Sequence, residues 1–191
     1  MKKISIGPRT LLYPHPDLII GTYGPGDRPD AMAAAWGGIC SSDPPSVAIS
    51  VQRGRQTYEN LFKHREFTIS IPSVDHVKEA DYFGIASGRD TDKFADTGLT
   101  PIKADHVNAP YVGEFPAVLE CRLLQTVDIG VHTQFIGEIL DVKVSESVLG
   151  PDGKPDIKKI RPFAYDSMRR EYYGFGDVIE KAFSAGLEFR R

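Results

Sequence analysis

Three stretches of this chain combine residue types able to hold a small molecule. Residues 47–63 read Val-Ala-Ile-Ser-Val-Gln, then Arg53-Gly54-Arg55, then a helical pattern beginning near Thr57. Free N–H groups at a helix start, helped by its dipole, favour an anion such as phosphate. Arg55 adds paired donors and Thr57 a hydroxyl. The same residues also suit a solvated turn before an ordinarily capped helix. Residues 86–94 place Ser87 beside Arg89 and Lys93, with Asp90 as a possible cap, and offer either further phosphate ligands or a turn that keeps the surface soluble. The third stretch is Ala31-Met32-Ala33-Ala34-Ala35-Trp36-Gly37-Gly38. Its small side chains would let a planar ring reach the backbone, with Trp36 as an aromatic wall. A tightly packed core strand would use the same residues.

Other chemistries find less support. His15, His64, His76 and His106 have no spacing suited to a metal, so no metal site is expected. His132 follows a glycine turn and opens a strand, either as a rim imidazole or as a turn residue. No G-x-S-x-G elbow supports a serine hydrolase. No G-x-G-x-x-G fingerprint supports a resident dinucleotide in a Rossmann pocket.

The elements that would position these residues are mostly strands, at 17–23, 47–52, 67–71, 118–127 and 133–144. Asp128-Ile129-Gly130 is the expected turn between the last two, which predicts antiparallel pairing. Helices are expected at 57–65, 75–86 and 177–185, with Thr57, Asp75 and Asp177 as N-caps. Strands that do not alternate with long helices disfavour a doubly wound parallel sheet and predict an antiparallel barrel, all-β or α+β. Residues 145–162 form a polar loop around Gly150-Pro151-Asp152-Gly153. Residues 163–191 form an aromatic tail that must dock on its own barrel or on a second subunit.

Bulk composition narrows the class. The 191 residues, 41% hydrophobic and 26% charged, fit a single domain spanning 1–191. A net charge of -3 with scattered cations gives no surface for nucleic acid. No apolar run approaches the roughly 18 residues of a membrane span. Lys2 and Lys3 precede no signal-peptide pattern, so the start is expected to be mature chain. Cys40 and Cys121, isolated from each other, suit a reducing cytoplasm.

Taken in order, these segments resemble the flavin-reductase-like family with an FMN-binding split barrel, and within it most closely the flavoredoxins. The likeness covers nearly the whole chain. It rests on 31–38 followed by Asp43-Pro44-Pro45, then Ser50, Arg55-x-Thr57 and Asn60, then Glu66-Phe67 and Ile71-Pro72. Ser87-Gly88-Arg89-Asp90, Asp92-Lys93-Phe94, Ala109-Pro110, Leu119-Glu120-Cys121 and Gly137-Glu138-Ile139 continue it. The resemblance implies a six-stranded antiparallel Greek-key barrel, mainly β with a few short helices, usually a homodimer with noncovalent FMN beside the subunit interface. It places Met32, Ala33, Ala34, Ala35 and Trp36 along the isoalloxazine, Ser50 and Val51 at the ring and ribityl chain, and Arg55, Thr57 and Lys93 at the phosphate with Ser87 nearby. Much of the family carries glycine-aspartate-histidine where this chain has Gly130-Val131-His132, and its histidine is thought to lie near the hydride donor. His132 is thus the candidate catalytic residue. Three functions follow: electron transfer through FMN from a redox partner protein, reduction of flavin by NAD(P)H, or a non-redox ligand-binding barrel.

Overall fold

Alternation sets the core. Along Pro45–Gln52 the side chains of Val47, Ile49 and Val51 are buried, while Ala48 and Ser50 are half-buried and Gln52 is exposed. A strand so patterned can pack one face only. The structure, a computed structural model, describes residues 1–190. Its elements begin with β1 (His15–Pro16), β2 (Leu18–Tyr23), β3 (Pro29–Ala34), β4 (Gly37–Ser42), β5 (Pro45–Gln52), α1 (Gln56–His64) and β6 (Glu66–Ile71). Then come α2 (Val77–Ile85), α3 (Lys93–Thr97), β7 (Pro101–Lys103), β8 (Pro110–Val112), β9 (Ala117–Ile129) and β10 (His132–Val144). The chain closes with α4 (Ile157–Ile160), β11 (Phe163–Asp166) and β12 (Glu171–Gly174). No helix among the described residues is long and apolar enough to cross a membrane.

Seven strands form the principal sheet in the order β3-β2-β6-β9-β10-β5-β4, each pair antiparallel. Strands β5 and β6 are consecutive yet flank the β9–β10 hairpin, which is the connection of a Greek key. Only Ala35 and Trp36 join β3 to β4, yet these two strands are the opposite edges of the sheet. The sheet must therefore curl until its edges approach. Its inner face closes on a core that includes Ile20, Met32, Ile49, Leu61, Phe67 and Phe135, with Leu61 contributed by α1. Ala34 pairs with Leu18 at one edge, and two residues later the Trp36 carbonyl accepts the Ser50 N–H at 2.8 Å at the other. Ala35 and Trp36 thus lie at the seam.

A second cluster, with Ile19, Ala31, Phe83, Phe94 and Phe163, packs α2, α3 and β11 on the outer face of β2 and β3. Strand β2 is buried on both faces, hence its continuous apolar run.

All five expected strands are present, and several details differ. The barrel sheet has seven strands, not six, because 31–38 divides at the seam into β3 and β4. The hairpin turn is Gly130-Val131 rather than 128–130. Gly130 takes φ 55, and His132 pairs with Ile129, so a two-residue loop matches the strand twist and lets β9 run on. Helix α1 starts at Gln56 with Arg55 at the N-cap position, so Thr57 is not the cap. Helix α2 starts at Val77 after a turn in which Ser73 Oγ accepts the Asp75 N–H. Asp92, not Asp90, caps α3 by accepting the Ala95 N–H at 3.1 Å. The expected helix at 177–185 is absent, and a short 3-10 turn, Ala185–Phe189, lies nearby. Val178, Ile179 and Phe183 are exposed there, and nine residues without a buried face do not sustain a helix. The polar loop carries α4 and a bridge between Leu149 and Pro155. The tail docks through β11 and β12, where Phe163 and Tyr172 join the second cluster.

Candidate functional site

The loop after β5, the first turn of α1, strand β3 and the α2–α3 turn meet in a cleft of about 290 Å³. Met32, Arg55, Thr57, Ser87 and Lys93, drawn from all three candidate stretches, line it. No side chain caps α1; the Tyr58 N–H donates to the Arg55 carbonyl at 3.1 Å, which leaves the Gln56 and Thr57 amides ahead of it for an anion. The α2–α3 turn is braced from three sides. The Arg55 guanidinium donates to the Gly84 carbonyl at 3.3 Å, that of Arg28 donates to the Gly88 carbonyl, and that of Arg89 donates to Glu59 of α1 at 2.9 Å. Ser87 Oγ accepts the Arg89 N–H at 3.2 Å, which leaves its own hydrogen free to donate.

The cleft carries two cations, Arg55 and Lys93, against one acid, Asp30. Lys93 is 3% exposed, with Nζ 3.2 Å from Asp30 Oδ1 and donating to the Ala31 carbonyl. Burial pushes the Lys93 ammonium below the ordinary lysine range, Asp30 opposes that shift, and Arg55 and Arg28 add to it. An incoming anion would favour the charged form of Lys93 and would find donors from Arg55 and the helix start. Such a site is chemically suited to a terminal phosphate.

A family model for the flavin reductase like domain matches residues 10–172, which include the whole barrel sheet and the whole cleft. The chain belongs to this family. The flavoredoxin of Desulfovibrio vulgaris (Miyazaki F) is 54% identical, with a TM-score of 0.93 over 97% of this chain and 100% of that one. A flavoredoxin structure from Methanosarcina acetivorans is 28% identical, with a TM-score of 0.92 over 99% and 100%. A high molecular weight rubredoxin of Moorella thermoacetica is 35% identical over 137 residues, 71% of this chain and 57% of that one. The likeness read from motif order is thereby shown, as is the split-barrel fold.

The remaining candidate residues of this flavin-reductase-like chain lie outside the cleft. Strand β3 cannot turn 32–36 to one surface: Ala34 faces the barrel core, whereas Ala33 packs with the outer cluster beside Gly84. Ala35 and Trp36 are half-buried at the seam, and Trp36 meets His15 edge-on at 5.1 Å. The Val51 side chain is 1% exposed in the core, so only its backbone can meet a ligand. Ser50 is half-buried on the opposite face of β5. His132 pairs in register with Gln52, which lines the cleft, but His132 itself does not line it. Among the described residues no carboxylate pairs with the His132 ring; Asp128 is held by Arg53 at 3.3 Å and by the Thr133 hydroxyl at 2.5 Å.

Asp30, Gln52, Gln56 and Gly88 also line the cleft and were missed. Asp30 had a signal, an acid opening the otherwise apolar Ala31-Met32-Ala33-Ala34 run. Its partner Lys93 lies 63 residues further on, a pairing that no local pattern carries.

Proposed function

We propose that this chain holds FMN noncovalently and works as an electron-transfer flavoprotein. Family membership supports a flavin. The observation that carries FMN in particular is the cleft, where an uncapped helix start, Arg55, Lys93 and the Ser87 hydroxyl converge, a set suited to a terminal phosphate that riboflavin lacks. Thr57 adds a hydroxyl at the same turn. Met32 lines the cleft and the chain runs from it to Ala35 and Trp36, so the ring is assigned to the seam, with Ser50 and the Val51 backbone beside it. When bound, the flavin supplies the capacity to accept and pass on electrons, one or two at a time. The protein's part is to neutralise the phosphate and present the ring.

The reading extends to partners. Leu124, Val127, Ile129 and Val131 are exposed along the β9–β10 hairpin, and Ile39 is exposed on the edge strand β4; such apolar exposure is suited to a homodimer contact. The relative named as a rubredoxin favours another redox protein, rather than NAD(P)H, as donor. His132, beside Gln52 at the end of the sheet, is the candidate for donor contact. A cytoplasmic setting fits two unpaired thiols.

Titration of the purified protein with FMN and with riboflavin, followed by flavin fluorescence, tests the assignment. FMN is expected to bind far more tightly, and Arg55→Ala with Lys93→Ala to erase the preference. Equal affinity for the two flavins would overturn it. Stopped-flow bleaching by NADH, NADPH or a reduced rubredoxin then identifies the donor.

A further inference from the structure

Asp30 is the only acid among the described residues that line the cleft, and it is 4% exposed. Its Oδ1 lies 3.2 Å from Lys93 Nζ, while its Oδ2 is buried without a hydrogen-bond partner. Gly88 packs directly on this carboxylate; a Cβ there would stand 2.4 Å from Oδ1. A buried ion pair with one oxygen unsatisfied is poor design for stability, since an apolar pair of similar volume often does as well. It is also poor design for a simple anion site, because the acid repels a phosphate. Its retention calls for a compensating effect on the neighbouring cation.

The surroundings of Lys93 supply one. Facing its ammonium are Asp30 and the Ala31 carbonyl from β3, Arg28 from the segment before β3, and Arg55 from the start of α1. Burial and both guanidiniums favour the neutral amine, and Asp30 is the charged group that opposes them. A neutral amine would keep its position and lose most of its grip on a phosphate.

We infer that Asp30, clamped by Gly88, is a positioning residue that keeps Lys93 charged and aimed at the phosphate of the bound flavin. The inference rests on the FMN reading above. Arg28 belongs to the same device, since its bond to the Gly88 carbonyl holds the turn on the acid. The sign follows from the geometry. Without Asp30 the lysine releases its proton at lower pH, so the alkaline fall in affinity for FMN should begin at lower pH than in the parent.

Two measurements test this. The first is the FMN dissociation constant from about pH 6 to about pH 10 for the parent, D30N, and D30N with K93R, whose guanidinium stays charged throughout. D30N is expected to weaken binding roughly tenfold relative to the parent at the alkaline end and little at the acid end, and K93R to remove that extra alkaline loss. The second follows the Lys93 side-chain carbon by NMR in the flavin-free protein. Its titration should move to lower pH in D30N. G88A, which removes no charge but displaces the carboxylate, should move it the same way by less and serves if D30N folds poorly. An unchanged Lys93 titration, or D30N binding FMN as well as or better than the parent at every pH, overturns the inference. Because the NMR readout needs no flavin, failure of FMN binding in the parent would count against the proposed function separately.

Discussion

Replacing Asp17 with asparagine should stabilise the folded chain above neutral pH and change little in acid. Asp17 is 6% exposed between β1 and β2, and its Oδ2 has no hydrogen-bond partner. Burial raises its pKa from 3.8 to about 7, and the nearby Asp81, whose Oδ1 accepts the Tyr172 hydroxyl at 2.8 Å, adds to the rise. The folded chain therefore keeps this proton until about pH 7, whereas the unfolded chain releases it near 3.8. Between those values the unfolded state binds fewer protons, so stability declines as pH climbs through the window and levels off above it. A pKa gap between 3.8 and about 7, at about 1.4 kcal/mol per tenfold, makes the full deficit about 4 kcal/mol. Asparagine preserves the shape and carries no charge, so it should recover most of that deficit at alkaline pH. Urea unfolding of parent and variant from about pH 4 to about pH 9 measures the difference directly. A difference that does not depend on pH, or a variant less stable than the parent at the alkaline end, would refute the reasoning.

Other consequences are simpler to check. Lys143 Nζ bonds Asp105 at 2.6 Å and also Glu120, which is 0% exposed, so Lys143→Met should cost about 3 kcal/mol in denaturant unfolding by removing the cation paired with a buried carboxylate. Burial works against the Glu120 carboxylate, yet Lys143 and the amides of His106 and Asp105 hold its pKa below the ordinary 4.5. Its contribution is thus complete above 4.5 and should vanish as pH falls further, which acid unfolding of parent and variant can show. Gly130→Ala should cost about 1 kcal/mol, because Gly130 sits at φ 55, and should leave FMN affinity unchanged. In the folded protein a thiol reagent should modify Cys40, which is exposed, and spare Cys121, whose thiol is pushed up to about 12 by burial with Glu120 adding to it. Mass spectrometry distinguishes the two.

Local chemistry was legible without coordinates. The runs at 47–52, 118–127 and 133–144 announced β5, β9 and β10, and the glycine turn between the last two announced their hairpin, because strand and turn preferences act over a few neighbouring residues. The order of motifs also revealed the family, and Arg55, Thr57, Ser87 and Lys93 were recognisable as phosphate-binding types. Tertiary structure alone decided where they meet. It divided one small-residue run into β3 and β4 at opposite sheet edges, joined Lys93 to Asp30 beneath Gly88, and left the last apolar segment without a core to fold against. Such facts depend on contacts between residues tens of positions apart, and sheet closure brings those residues together whereas a local pattern cannot.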